Sequence, residues 1–310
     1  MDDSIETRRL IARLRFRHLN LLVTLHEGGS LRAAATVLNL TQPALSKALA
    51  EVEGAFGHAL FTRSARGLAA TPRGDIVIRG AALLLRELAH VGAEASAEPA
   101  VTVLRIGAPP FVAQGTLPDV FTRLLEGDAP VRVQLQEERV PLLVQSLLEG
   151  RLDALVTSYP TEMPEADGQQ LRYEKIFEAA FAVIAPADHP LARARKVDWQ
   201  RLGAARWIMP ARTSMVRRMM DEVFRREGVL PPQPVIESTS PFTNLRLVAA
   251  GLGIGAVPES TLRMTHGSDA QVKRVRVHPP IPPSPVALIW RDVPHGNPRV
   301  QLLRQALGLR

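Results

Sequence analysis

The side chains best equipped for recognition chemistry sit in one short run, Thr41-Gln42-Pro43-Ala44-Leu45-Ser46-Lys47. Glutamine pairs bidentately with adenine, lysine donates to guanine or phosphate, and the Ala44 methyl suits the methyl of thymine. Arg32 upstream adds a guanidinium suited to phosphate, and Arg63 and Arg66 downstream suit phosphate or the minor groove. From Arg8 to Arg73 there are ten basic residues and three acidic ones, an excess equal to the net charge of +7 for the whole chain. Such a local excess is the electrostatic footprint of a polyanion partner. The competing reading is a solvated arginine-rich surface.

The elements that must hold these groups can be read from spacing. Phe16, Leu19, Leu22, Val23 and Leu25 recur at helical intervals and predict a first helix that stops at Gly28-Gly29. Ser30 is a good N-cap for a short helix over Leu31 to Leu38, in which Ala33, Ala34 and Ala35 permit close helix approach. Asn39-Leu40 forms the turn and Thr41 the next cap. Pro43 falls in the first turn of a third helix, from Gln42 to Phe56, ended by Gly57. Two short helices, a tight turn and a longer helix make a helix-turn-helix, and the start of its last helix reaches base edges. A capped helical hairpin with no such role fits the same spacing. Leu60 to Arg63 and Leu68 to Thr71 then read as a small hairpin, or wing. Thr71-Pro72 caps an amphipathic helix running to about Ala97, long enough to need a partner, most simply the same helix of a second chain.

The stretch from Gly28 to Gly74 resembles the DNA-binding signature of the LysR-type transcription regulators. Gly29, Ser30, Ala34, Ala35, Leu38, Gln42, Pro43, Ala44, Ser46, Leu49, Glu53, Gly57, Leu60, Phe61, Arg63, Thr71 and Gly74 carry it. The resemblance extends over the whole chain. It implies a winged helix-turn-helix at 14–73, a linker helix at 74–98 and a two-lobed α/β sensor domain of the type 2 periplasmic-binding-protein shape at 101–310. Lobe I would take about 101–180 and 279–310, and lobe II about 181–278. It further implies double-stranded promoter DNA as partner, a small-molecule effector, and a homodimer or homotetramer. Carried over by position, Arg32, Thr41, Gln42, Pro43, Ser46 and Lys47 belong to the DNA-reading unit, with Arg63 and Arg66 in the wing.

After a break at Glu98-Pro99, strand-like and helix-like segments alternate, which predicts largely parallel sheets. Strands are expected at 101–107, 131–136, 153–157, 181–185, 235–238, 254–257 and 286–290. Helices are expected at 114–125, 142–150, 214–227, 244–250 and 298–307. Ligands of such folds sit at the C-terminal ends of strands and at helix N-termini, where free N–H groups favour an anion. The candidate effector residues are Pro110, Phe111 and Val112 in the first loop, and Thr157 and Ser158 at a strand end. Arg212, Thr213 and Ser214 precede one helix, and Ser240 and Phe242 precede another. Thr213 and Ser214 serve equally well as simple caps. Many relatives have Ser or Thr near Phe111. The apolar loop here points to a bulkier or less polar ligand, or to none.

Composition narrows the alternatives. The chain has 310 residues, too many for one ordinary core, and 46% are hydrophobic. The start, MDDSIETRRLIARLRF, has no apolar signal core and no run approaches a membrane span, so a cytoplasmic protein is expected. With no cysteine, thiolate zinc sites and cysteine nucleophiles are excluded, and the eight histidines lack metal spacing. No catalytic residue, cofactor or metal is expected. Gly251-Leu252-Gly253-Ile254-Gly255 imitates a dinucleotide fingerprint, but the glycines follow a helix and precede a strand, the reverse of the required order. An NAD-dependent enzyme is therefore disfavoured. A solute-binding protein is disfavoured by the missing export signal and the basic N-terminal unit.

Overall fold

The computed structural model describes residues 5–64, 67–96, 101–127, 130–158, 171–212, 214–264, 271–293 and 296–309. The chain divides into two compact units, the first reaching Thr102 and the second holding nearly all that follows.

The first unit contains α1 (Ile5–Arg13), α2 (Phe16–Gly28), α3 (Leu31–Val37), α4 (Gln42–Phe56), β1 (Phe61–Ser64), β2 (Gly67–Ala70) and α5 (Pro72–Ala95). Leu22, Leu25, Ala34, Leu45 and Val52 meet in its core, which Leu60 and Ile78 join from the wing and from α5. Each predicted cap is made. The Ser30 hydroxyl accepts from Ala33 N at 3.1 Å, Thr41 from Ala44 N at 3.4 Å and Thr71 from Gly74 N at 2.9 Å. One cap contributes about 1 kcal/mol. β1 and β2 pair antiparallel from Phe61↔Ala70 to Ser64↔Gly67. The wing is fastened to the end of α4 by Glu53, whose carboxylate accepts from Leu60 N at 2.7 Å and Phe61 N at 3.2 Å. Gly74 must be glycine for a steric reason: a Cβ there would lie 1.9 Å from the Leu60 carbonyl oxygen. Early in α5, Ile78 and Ala81 are buried, whereas Ile76, Leu84, Leu88 and Val91 form an exposed apolar row. The sequence reading omits α1, four of whose nine residues are charged. Its Arg13 donates to Gly54 O at 3.3 Å.

The second unit begins with β3 (Thr102–Ala108), α6 (Pro110–Gly115), α7 (Leu117–Leu125), β4 (Val131–Glu137), α8 (Val140–Leu148), β5 (Ala154–Ser158), β6 (Leu171–Ala179) and β7 (Phe181–Pro186). It continues with α9 (Pro190–Arg193), α10 (Trp199–Gly203), β8 (Trp207–Met209), α11 (Met215–Arg226), β9 (Ile236–Glu237), α12 (Pro241–Ala249) and β10 (Ile254–Pro258). It ends with α13 (Glu259–Met264), β11 (Val272–Arg274), β12 (Ser284–Arg291) and α14 (Pro298–Ala306). Two five-stranded sheets result, ordered β4-β3-β5-β12-β6 and β11-β7-β10-β8-β9. Leu104, Ile106, Leu117, Val156, Leu288 and Leu303 centre the core of the first. Trp199, Trp207, Phe224 and Met220 centre the core of the second, with the Phe224 ring edge-on to both tryptophans.

Neither sheet is largely parallel. β5 is parallel to β3, and β8 to β10 and β9, but β12 runs antiparallel to β5 and β6, and β7 antiparallel to β10 and β11. A strand buried on both faces has the same apolar composition in either direction, so hydropathy carries no information about polarity of pairing. The elements absent from the sequence reading are, in this unit, α6, the half-exposed β6 and the short β8, β11, α9, α10 and α13. The glycine run is a helix-to-strand turn: α12 stops at Ala249, Gly251 takes φ +77° and β10 starts at Ile254. In the first lobe a buried ion pair ties β3 to the loop before β5. Arg105 donates to Asp153 through its backbone N (2.9 Å), Nε (3.1 Å) and Nη2 (2.9 Å), and Arg299 stands 3.6 Å away.

Candidate nucleic-acid interface and effector cleft

On α4, Leu45 and Leu49 point into the core while Gln42, Pro43 and Lys47 are exposed and Ser46 is half-buried. Gln42 and Ser46, like Pro43 and Lys47, are four residues apart and share a helix face. The packing that buries Leu45 therefore turns this set outward. Thr41 is exposed at the cap, where its oxygen accepts from the helix and its hydrogen is left for another acceptor. Arg32 is exposed on the first turn of α3. The α4 N-terminus also offers unpaired N–H groups to an anion. In the wing, the Arg63 backbone pairs with Leu68, and Arg66 lies outside the described residues. Sequence reasoning missed the bracing role of Glu53 and the contact of Arg73 Nη1 with His58 Nδ1 at 2.8 Å. An acid in the last helical turn just before a strand was the available signal for Glu53. It also missed His18, which is buried on α2 with Nδ1 unpartnered among the described residues. Burial and then Arg17 and Arg15 hold its pKa below the ordinary value, against the opposing effect of Glu51.

The second site is an open-mouthed cleft between the two sheets of the second unit, with a cavity volume of about 60 Å³. Four helices begin at its wall. Pro110 and Phe111 open α6, Arg139 and Val140 stand at the start of α8, Ser214 precedes α11, and Thr239 and Pro241 flank the start of α12. Thr157 contributes from β5, and Ala256 and Pro258 from β10. Of the residues expected here, Pro110, Phe111, Thr157 and Ser214 line the cleft. Ser214 occupies the N-cap position of α11 without a side-chain cap bond, so its hydroxyl is not spent on the helix.

The others are placed elsewhere. Pro110 to Val112 form the first turn of a helix, not a loop, and Val112 turns inward to the lobe core at 1% exposure. Ser158 follows Thr157 on a strand and so takes the opposite face, where it is buried. Arg212 is exposed and donates to Gln233 Oε1 at 3.1 Å. Ser240 caps α12 through Thr243 N at 3.3 Å, and its half-buried neighbour Phe242 does not line the cleft. Thr213 lies outside the described residues. The lining residues that sequence reasoning missed are Glu138, Arg139, Arg218, Thr239 and Asn244. Arg139 stands at the start of α8, which begins two residues ahead of where the spacing predicts it, and Asn244 lies inside the first turn of α12, which begins at Pro241 rather than at 244.

Among the described residues, no helix is long and apolar enough to cross a membrane, and no group of three His, Asp or Glu is placed to hold a metal ion. The model of the bacterial regulatory helix-turn-helix proteins of the lysR family matches residues 16–75, and that of the LysR substrate binding domain matches residues 97–309. The HTH-type transcriptional regulator GbpR of Azospirillum brasilense is 32% identical over 246 residues, covering 77% of this chain and 70% of that protein. A full-length OxyR variant from Pseudomonas aeruginosa superposes with a TM-score of 0.64 at 24% identity, over 96% of this chain and 95% of that one. ArgP from Mycobacterium tuberculosis gives a TM-score of 0.65 at 21% identity, over 94% of both chains. Full-length CbnR, solved in complex with its target DNA, gives 0.53 at 19% identity, over 95% of this chain and 100% of that one.

Proposed function

The chain belongs to the LysR family of bacterial helix-turn-helix regulators, and on that premise we propose that α4 reads operator bases while a ligand between the sensor lobes sets the outcome. The protein is a transcription regulator with an N-terminal DNA-binding unit and a C-terminal effector-binding domain. The observation that carries the reading of α4 is its outward set Gln42, Pro43, Ser46 and Lys47, on a capped helix whose other face is locked into a core. Thr41 and Arg32 serve phosphates beside it, and Arg63 and Arg66 reach the backbone or minor groove from the wing. The exposed apolar row Ile76, Leu84, Leu88 and Val91 of α5 pairs with its copy in a second chain, and two such dimers make a tetramer. The protein works in the cytoplasm and is not an enzyme. The starts of α11 and α12 and the cation Arg218 suit the cleft to an anionic effector, Arg139 being paired with Glu138. Its binding acts by population shift, favouring one arrangement of the assembly over another.

A gel shift of the purified protein on the intergenic DNA upstream of its own gene, with excess competitor and at two salt concentrations, tests the first half. A specific shift that survives competitor is expected. Absence of any shift on nearby promoters, even at low salt, overturns DNA reading by this chain alone.

A further inference from the structure

Two polar side chains that line the cleft each keep one buried atom without a hydrogen-bond partner among the described residues. Thr157 is fully buried and its Oγ1 is unpartnered; Asn244 is 2% exposed and its Oδ1 is unpartnered. They come from opposite lobes, Thr157 from β5 of the first sheet and Asn244 from α12 against the second. The orientation of the Asn244 amide is set, because its Nδ2 donates to Ser238 O at 3.1 Å and Oδ1 is thereby left as an acceptor. A buried acceptor without a donor is unfavourable by about 1–3 kcal/mol, and native proteins leave few of them. Prolines, Phe111, Val140 and Val216 give the rest of the wall its apolar part, and Glu138, Arg139, Ser214 and Thr239 its polar part. Arg218 is exposed at the cleft and forms no ion pair among the described residues.

Resting on the effector reading above, we infer that the ligand of this cleft is a carboxylate whose apolar body carries a hydroxyl. The carboxylate faces Arg218 and the start of α11, and the hydroxyl answers the two orphaned atoms. A hydroxyl is the neutral group suited to both: its one hydrogen goes to Asn244 Oδ1 and its oxygen accepts from the Thr157 hydroxyl. A ligand held by both residues joins the two lobes, which is the differential contact a two-state sensor requires. A purely apolar acid of the same shape leaves both atoms unsatisfied and is selected against.

The test is calorimetric titration of the full chain with ortho-, meta- and para-hydroxybenzoate and the matching hydroxyphenylacetates, each against its unhydroxylated parent acid. At least one hydroxylated acid is expected to bind about tenfold more tightly than its parent. Thr157→Val, which keeps the side-chain shape, and Asn244→Leu should each shrink the affinity ratio between the hydroxylated acid and its parent. Arg218→Gln should weaken both members of a pair alike. Equal binding within every pair, a preference that survives both Thr157→Val and Asn244→Leu, or no binding by any acid overturns the inference. Equal pairs that Arg218→Gln still weakens leave the effector cleft standing without the hydroxyl requirement. Binding untouched by all three substitutions removes the cleft reading as well.

Discussion

The two recognition regions both use helix N-termini, with opposite treatments of their polar groups. At α4 the side chains are exposed, the helix stands on its own core, and Gln42 and Lys47 need nothing from the rest of the chain beyond being turned outward. In the cleft four helix starts converge, the walls are largely apolar with a few charged and hydroxyl groups among them, and the decisive atoms of Thr157 and Asn244 are buried and unsatisfied. A surface that reads DNA must keep its hydrogen-bonding groups available in water and win affinity from charge. A pocket that selects a small molecule gains discrimination by leaving buried groups that only the right ligand satisfies. The contrast makes the first region tolerant of side-chain truncation in stability and intolerant in binding, while the second region is coupled to the integrity of its lobes.

That contrast can be strained most severely at the buried ion pair. Asp153→Ala leaves Arg105 buried without its carboxylate and should destabilise the second unit by roughly 3–5 kcal/mol. All three tryptophans, Trp199, Trp207 and Trp290, lie in that unit, so urea unfolding followed by tryptophan fluorescence reads it directly. The matching blow to the first unit is Gly74→Ala, which forces a Cβ against Leu60 O and should cost roughly 3 kcal/mol. Helical circular dichroism and operator binding should both register it, while the tryptophan transition keeps its midpoint. If Gly74→Ala moves the fluorescence transition, the two units do not unfold independently.

Smaller effects separate reading from folding. Lys47→Ala or Gln42→Ala should weaken specific operator binding by about 1–3 kcal/mol with an unchanged melting curve. Either variant binding its operator at full affinity removes that residue from the readers. Arg66→Ala should weaken binding to all sequences alike and flatten its salt dependence. The mildest effect concerns His18. Its pKa is lowered in the folded state, so below about 6.5 the unfolded chain binds the proton more readily. The contribution of neutral His18 is fully present above that pH and falls away as pH drops through the lowered folded value. Helical melting of the wild type should weaken on going from neutral to mildly acidic buffer, and His18→Gln should flatten the slope. An equal slope in both proteins refutes the assignment.

The first unit was legible nearly to the residue because its information is local. Ser30, Thr41 and Thr71 cap within three residues, and Gly57 and the Thr41-Gln42-Pro43 run mark ends that do not depend on distant chain. The charged α1 escaped because four of its nine residues are charged, and Arg13 ties it to α4. In the second unit, element types were readable where burial was strong, as at β5, β7 and β10, all of whose residues are buried. Pairing direction was not readable there, and neither was which strand-end residue meets the cleft. Thr157 and Ser158 are adjacent and chemically alike, and only the pleat sends one to the cleft and the other away.

By itself the sequence determined the helix-turn-helix and its wing, the long α5 with its apolar row, and the outward polar set on α4. Those features follow from periodicity, caps and turn residues that act over a few positions. Tertiary structure alone decided that β12 enters between β5 and β6, that Arg105 and Asp153 meet in the interior, and that Arg139, Arg218 and Asn244 line the cleft. These depend on contacts between residues tens of positions apart or more, which no local pattern encodes.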